Sequence, residues 1–372
     1  MRICNAKVFL NGNFIHGGIE FDEKITAVGE SVSGSGVFVN ANGYFLIPGL
    51  IDIHSHGAIG YDVSDGDSCD LELLAAYYAN AGVTSWCPTT MTLKEEDLIS
   101  AVKHISEYKR PVNCSKIAGI HLEGPFLSSE KIGAQNSANL LKPDFDVFER
   151  IYSAANSHIS IISVAPETEG ALDFISKASK LTNVSLAHTA ADYDTAMKAF
   201  NAGANHVTHL FNAMPALHHR MPGVAAASAD SGAYTELICD GLHIHPAVIR
   251  LCFKLFGEKL CLISDSIRCC GLKDGEYNLG GLEVCLSEGK VCLKGTDTLA
   301  GSSINLMEGL RRCVAFGIPL EKAVYASTAA PSKAIGKYNE IGSLDVGKYA
   351  DFVLLDEALS VKAVYISGHR VQ

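Results

Sequence analysis

Pro48-Gly49-Leu50-Ile51-Asp52-Ile53-His54-Ser55-His56 sets two imidazoles two residues apart at the end of an apolar run. A run of this kind reads as a buried strand. Strand side chains alternate faces, so His54 and His56 point one way and Ser55 the other. Two neutral imidazoles aimed at one point suit a first-row metal ion. Four more residues of ligand type close later apolar runs: Glu123 in His121-Leu122-Glu123-Gly124-Pro125, His188 in Ser185-Leu186-Ala187-His188, His209 in His206-Val207-Thr208-His209, and Asp265 in Leu262-Ile263-Ser264-Asp265. Taken singly, Glu123 reads as a solvated loop carboxylate, His188 and His209 as core histidines, and Asp265 as a helix cap. Six such residues at strand ends read together as a metal site, with Glu123 a ligand suited to bridging two ions and Asp265 a general base beside it.

Something must gather those strand ends. Strand-like apolar runs recur near residues 50–54, 83–87, 117–121, 160–164, 184–188, 205–209, 235–239 and 260–264. Between most of them lie segments with apolar residues at three- and four-residue spacing: 71–81, 95–108, 171–181, 193–202 and 246–256. The alternation predicts an α/β fold, a (β/α)8 TIM-type barrel, whose C-terminal strand ends all open on one face. Residues 210–234, broken by Gly, Pro and His, read as a functional loop. The two chain ends differ from the middle. Lys7–Leu10 before an Asn-Gly turn, Lys24–Val28, Gly36–Val39, Asp351–Leu355 and Val361–Ile366 all read as short strands. The expectation is a small β-sandwich domain built from residues 1–47 and 342–372, beside a catalytic barrel of residues 48–341.

Composition narrows the function classes. The chain has 372 residues, 48% hydrophobic and 19% charged, which is ordinary for a globular protein with a large core. Net charge is −11, from 41 acidic against 30 basic residues, and no basic stripe occurs, so nucleic acid is disfavoured as a partner. No stretch is long and apolar enough for a membrane span, and the N-terminus lacks the pattern of a secretory leader. The twelve cysteines are scattered through apolar runs with no C-x-x-C pair, and so read as reduced core thiols of a cytoplasmic protein.

Further segments carry a resemblance along essentially the whole chain. Pro48–His56, His121-Leu122-Glu123-Gly124-Pro125-Phe126, His209-Leu210-Phe211-Asn212-Ala213-Met214-Pro215, Asp240-Gly241-Leu242-His243, Asp274–Tyr277, Leu299–Ser302 and Gly342–Asp351 resemble the amidohydrolase superfamily. Within it they resemble the N-acetylglucosamine-6-phosphate deacetylase family. The resemblance implies hydrolysis of an acetamide on a phosphorylated amino sugar. It implies one divalent ion on Glu123, His188 and His209, and a second on His54 and His56 with Asp265 nearby. Zinc is the first expectation for the metal, with iron, manganese or cobalt as alternatives. Substrate groups would fall on Asn212, the Ala213 backbone N–H, Arg220 and His243, the last two holding the phosphate. The resemblance also implies a homodimer, with Arg220 reaching into the neighbouring subunit's site.

Two departures stand out. Where many members carry a histidine that polarises the substrate carbonyl, this chain has Gln135, whose amide can donate to an oxyanion but supplies no proton. The usual Thr-Asp-Ala-Met is here Ser264-Asp265-Ser266-Ile267. Competing readings are a deacetylase for the galacto epimer, another cyclic or linear amidohydrolase, and a non-catalytic scaffold. Cyclic amidases commonly bridge their metals with a carboxylated lysine after the fourth strand. That strand here ends Val164-Ala165-Pro166-Glu167, without a lysine.

Overall fold

The computed structural model describes residues 1–32 and 37–371. Eight parallel strands make the barrel: Leu50–Ser55, Val83–Thr90, Ile120–Phe126, Ile159–Val164, Asn183–Leu186, His206–Val207, Tyr234–Ile238 and Leu260–Ile263. All eight predicted runs are present. They are near-continuous apolar segments because both faces of a parallel sheet are covered. Neighbours pair in sequence order from the third strand to the eighth, and the second strand pairs with both the first and the third. The eighth meets the first through backbone bonds just beyond its end: Asp265 N–H to His54 O at 3.0 Å and His56 N–H to Ser266 O at 2.8 Å.

The helices between strands form where expected, within a few residues: Leu71–Asn80, Glu95–Glu107, Ala171–Ala178, Tyr193–Ala202 and Pro246–Leu255. Leu98, Ala101, Val102 and Ile105 are the buried stripe of Glu95–Glu107, while Glu95, Glu96 and Asp97 lie in its first turn, where negative charge complements the helix dipole. Asp70, Asp144 and Asp192 cap three helices by accepting backbone N–H bonds. One segment differs from expectation. Residues 210–234 are not all loop, since Gly223–Ser231 is a helix. Its small residues (Val-Ala-Ala-Ala-Ser) pack closely and give little amphipathic contrast, so periodicity could not reveal it.

A layered interior fills the barrel. Ile51, Ile53, Cys87, Ile161, Ile238, Cys261 and Ile263 form one apolar cluster with Ala330, Ala334, Ile335 and Ile341. A polar layer follows. His121 Nε2 lies 3.0 Å from Ser163 Oγ, and Thr208 Oγ1 lies 2.6 Å from Ser185 Oγ and 3.2 Å from Ser163 Oγ. Beyond it come the predicted site residues.

The chain ends share one sheet of eight strands. Its order is His369–Arg370, Val361–Ile366, Phe352–Leu355, Phe45–Pro48, Arg2–Leu10, Asn13–Phe21 and Ile25–Gly29, with Phe38–Asn40 also paired to Arg2–Leu10. Ile3, Val8, Ile19, Phe21, Phe352 and Tyr365 lie in its own core. Asn11 and Gly12 both have positive φ, as the two-residue hairpin turn requires. Of the predicted strand Gly36–Val39, Gly36 lies outside the described residues. After the eighth barrel strand, Gly275–Leu279, Leu282–Ser287 and Lys290–Leu293 form a separate antiparallel sheet that the strand count did not anticipate.

Candidate metal centre and active site

The first strand does not deliver its histidines by simple alternation. Asp52 pairs with Trp86 and Ser55 with Pro88, so three steps on the first strand oppose two on the second. This bulge lets Ile51 and Ile53 join the interior cluster while His54 and His56 still converge, their Nε2 atoms 3.3 Å apart. Glu123 is not the last residue of its strand, which runs on to Phe126 with an irregular register. His188, His209 and Asp265 each stand two residues past the end of their strand and adopt φ of 42°, 27° and 49°. A non-glycine residue held there costs on the order of 1–3 kcal/mol. Three such residues around one point mark a site in which the turn inward is retained despite strain.

Six side chains meet. Glu123 Oε1 lies 2.7 Å from His209 Nε2, 3.2 Å from His188 Nε2 and 3.6 Å from His54 Nε2. Glu123 Oε2 lies 3.2 Å from His56 Nε2. Asp265 Oδ1 stands 3.3 Å from His56 Nε2 and 3.5 Å from His54 Nε2. For His56 and His188 the far side of the ring shows which nitrogen is turned to the centre. His56 Nδ1 donates to Thr89 O at 2.9 Å and His188 Nδ1 to Lys131 O at 3.0 Å, since a carbonyl can only accept. Their Nε2 atoms therefore face the centre, the arrangement outer hydrogen bonds impose on metal-binding histidines, and an ion taken up there would displace any proton they carry.

Charge in this buried space favours a cation. Burial disfavours protonated His54, yet the carboxylates of Glu236, Glu123 and Asp265 outweigh it and hold its pKa well above the imidazole range. His56 is likewise opposed by burial but lifted to about 9 by Asp265 and Glu123. Burial pushes Glu123 upward, but the surrounding histidines drive it well below the carboxylate range; Asp265 is lowered in the same way by His54 and His56. Imidazole nitrogens and carboxylate oxygens within ligand reach, in a field that attracts positive charge, fit a divalent metal ion.

A cavity of about 400 Å3 opens over these residues, lined among others by His56, Glu123, Gln135, Asn212, His243 and Asp265. Ala213, His188 and His209 line it too. Gln135 donates its amide to Glu123 Oε2 at 2.6 Å and accepts from Thr92 N–H at 2.8 Å. Asn212 donates to His209 O at 3.1 Å. His243 Nδ1 lies 2.6 Å from Asp240 Oδ2. Arg220 is the exception. It is exposed, lies beside His219 at 2.7 Å and does not line this cavity.

The sequence reading missed Glu236. This fully buried carboxylate lies 2.9 Å from His54 Nδ1 and 3.1 Å from His206 Nε2, and accepts the His209 N–H at 3.2 Å. Its signal was a charged residue inside the apolar strand Tyr234-Thr235-Glu236-Leu237-Ile238. Asp240, which orients His243, was also missed as a partner.

Residues 45–371 match the Amidohydrolase family. The chain belongs to the amidohydrolase family. Among relatives of this amidohydrolase, N-acetylglucosamine-6-phosphate deacetylase of Bacillus subtilis is 37% identical over 87% of this chain and 84% of its own length. N-acetylgalactosamine-6-phosphate deacetylase of Escherichia coli O157:H7 is 35% identical, over 87% and 86%. Among solved structures, a mutant N-acetyl-D-glucosamine-6-phosphate deacetylase of Mycobacterium smegmatis, in complex with N-acetyl-D-glucosamine-6-phosphate, superposes with a TM-score of 0.92. It is 32% identical, and the match covers 100% of this amidohydrolase and 99% of that chain.

Proposed function

We propose that this amidohydrolase cleaves the acetamide of N-acetylglucosamine 6-phosphate to acetate and glucosamine 6-phosphate. The carrying observation is the convergence of four imidazoles and two carboxylates under one cavity. Relatives named for this reaction, and a neighbour of near-identical fold in complex with the sugar phosphate, support it.

Glu123, His188 and His209 would hold one divalent ion, and His54 and His56 a second, with Asp265 between ligand and base. Such an ion supplies Lewis acidity and brings the pKa of a water into the neutral range. Zinc is the first choice, with iron, manganese and cobalt as alternatives that nitrogen and oxygen donors also admit. Asp265, ionised at neutral pH because its pKa is lowered against burial by His54 and His56, takes the proton of the attacking water. It then returns that proton to the amine nitrogen as the C–N bond breaks. Gln135 spends one amide hydrogen on Glu123, and its other hydrogen, which faces the weak acceptor Met91 Sδ at 4.0 Å, is assigned to the carbonyl oxygen as negative charge develops there.

His243 would meet the phosphate, with Asn212 and the Ala213 N–H on the sugar. Arg220, outside its own chain's cavity, is assigned to a neighbouring subunit's phosphate in a homodimer. The barrel of residues 48–341 would carry the chemistry, and the unit of residues 1–47 and 342–372 would brace it. A cytoplasmic location is part of the same reading, because a phosphorylated sugar is an intracellular metabolite class. No helix of the described residues is long and apolar enough to cross a membrane.

The galacto epimer is the second reading, favoured by the relative of that name at 35% identity. Acetate release should be assayed side by side from both phosphorylated sugars and from unphosphorylated N-acetylglucosamine, with chelator and after adding zinc back. The gluco phosphate should react fastest, chelator should stop it and zinc should restore it. Failure of the metal-replete protein to release acetate from either phosphorylated sugar would refute the reading.

A further inference from the structure

The sheet that follows the eighth strand places two cysteines face to face. Glu288 and Gly289, with φ of 51° and 80°, form the two-residue turn between Leu282–Ser287 and Lys290–Leu293. That turn sets the register, so Cys285 lies directly opposite Cys292. The Lys294 N–H donates to Glu283 O at 2.9 Å, which makes Val284 and Leu293 a pair without mutual backbone bonds. The next pair, Cys285 and Cys292, is therefore of the hydrogen-bonded type, whose Cα atoms lie about 5.5 Å apart. A disulfide spans Cα separations of roughly 4.4–6.8 Å and needs Cβ atoms about 3.5–4.5 Å apart, closer than the roughly 5 Å of a hydrogen-bonded pair, so forming the bond draws the two strands together and leaves it strained and readily reduced.

Exposure separates this pair from the other thiols. Of the twelve free cysteines nine are buried, and Cys285 and Cys292 are two of the three that are half-buried. Val284, Leu286 and Val291 turn the opposite face of the hairpin into a core with Met91, Ile267 and Leu279. Met91, Ile267 and Leu279 also line the active-site cavity. Cys292 is itself bridged to Leu299, another lining residue, and Val291 accepts the Ala300 N–H at 3.1 Å. Lys290 and Lys294, two residues either side of Cys292, share its face and are paired with carboxylates, Lys294 with Glu276 at 2.8 Å and Lys290 with Asp297 at 3.9 Å, so the approach to the two thiols is open to a reagent of either charge.

We propose that Cys285 and Cys292 form a dithiol site that low-molecular-weight disulfides, of which oxidised glutathione is the probe, convert to an intrachain cross-strand bond that stiffens one wall of the cavity. The first thiolate attacks the reagent's disulfide and displaces one reagent thiol. The second cysteine then attacks the mixed disulfide and displaces the other. Two cysteine thiols lose two protons and two electrons, and one reagent disulfide becomes two thiols. Exposure makes such a bond reversible by a dithiol reductant.

The test uses the full, metal-loaded chain. After treatment with oxidised glutathione, trypsin cuts after Lys290, between the two cysteines. The expected product is the peptide containing Cys285 joined to the peptide containing Cys292, with two thiols lost and no retained glutathione. Dithiothreitol should reverse it, and Cys285→Ser should abolish it. Stable glutathione on either cysteine, or linkage to another cysteine, overturns the dithiol site. The same sample should show a several-fold rise in KM for the phosphorylated sugar, with kcat and metal content changed far less. Unchanged KM in a fully cross-linked sample overturns the link to the cavity wall. The peptide map stands apart from the assigned reaction, so failure of either reading is visible separately.

Discussion

Asp265 combines three properties that few carboxylates share: burial, a lowered pKa and a backbone at φ 49°. In the proposed role of proton carrier it should be sensitive to loss of charge more than of shape. Asp265→Asn is expected to reduce kcat by about 10²–10⁴-fold, the usual worth of a general base or acid. Metal content, measured on the purified variant, should stay near that of the parent. His243 offers a second check at this scale. Burial opposes its charge, but the Asp240 carboxylate outweighs burial and raises its pKa above 6.5. The ring thus stays cationic above its ordinary range and loses its proton only as pH rises through the raised value. KM for the phosphorylated sugar should therefore rise on the alkaline side. In Asp240→Asn, which keeps the side-chain oxygen that receives the Leu242 and His243 N–H groups, that rise should move to lower pH. A KM–pH profile unmoved by the substitution would remove His243 from phosphate binding.

Strand ends do the positioning. The turn inward at His188, His209 and Asp265 is held by neighbours, and Gly301 shows how tightly. At φ +56° its missing Cβ leaves room that Ile267 Cγ2 would otherwise contest, and an added carbon would sit 3.0 Å from Asp265 O. Ser302 N–H donates to that same oxygen at 2.7 Å. Gly301→Ala is expected to lower stability by on the order of 1–3 kcal/mol through the left-handed backbone alone. It should also cut kcat by displacing Asp265, which urea unfolding and steady-state kinetics would report together. This scale also shows why the element reading went only so far. Strands and amphipathic helices announce themselves by period, whereas the bulge between Asp52 and Ser55 and the small-residue helix Gly223–Ser231 have no periodic signature.

For the whole molecule, the buried centre is both an active site and a stability term. Glu123, Asp265 and Glu236 bring three carboxylates into the barrel interior around His54, and the proposed divalent cation would offset their repulsion. Removing the metal should lower Tm, and adding it back should restore the loss. A ligand at a thousandfold excess over its Kd stabilises the folded state by about 4 kcal/mol. Calorimetry of chelator-treated and reloaded protein measures this directly, and equal Tm values would argue against a resident ion. The terminal sheet takes part in the same structure. Lys116 Nζ lies 2.8 Å from Asp351 Oδ2, and Gly49 N–H donates to Asp351 O at 2.9 Å, so the first barrel strand begins on a residue that leads into Phe352–Leu355.

The sequence by itself determined the alternation of strands and helices, the β-rich ends and the identity of the six converging side chains. Those are properties of local period and residue type, and every strand end in a barrel opens on the same face. Only the tertiary structure decided how the histidines face inward past a bulge, that Glu236 backs His54, that Gln135 is tied to Glu123, and that Arg220 lies outside the cavity. Each of these depends on contacts between residues far apart in the chain. Spacing along one strand carries no information about what the opposite strand presents.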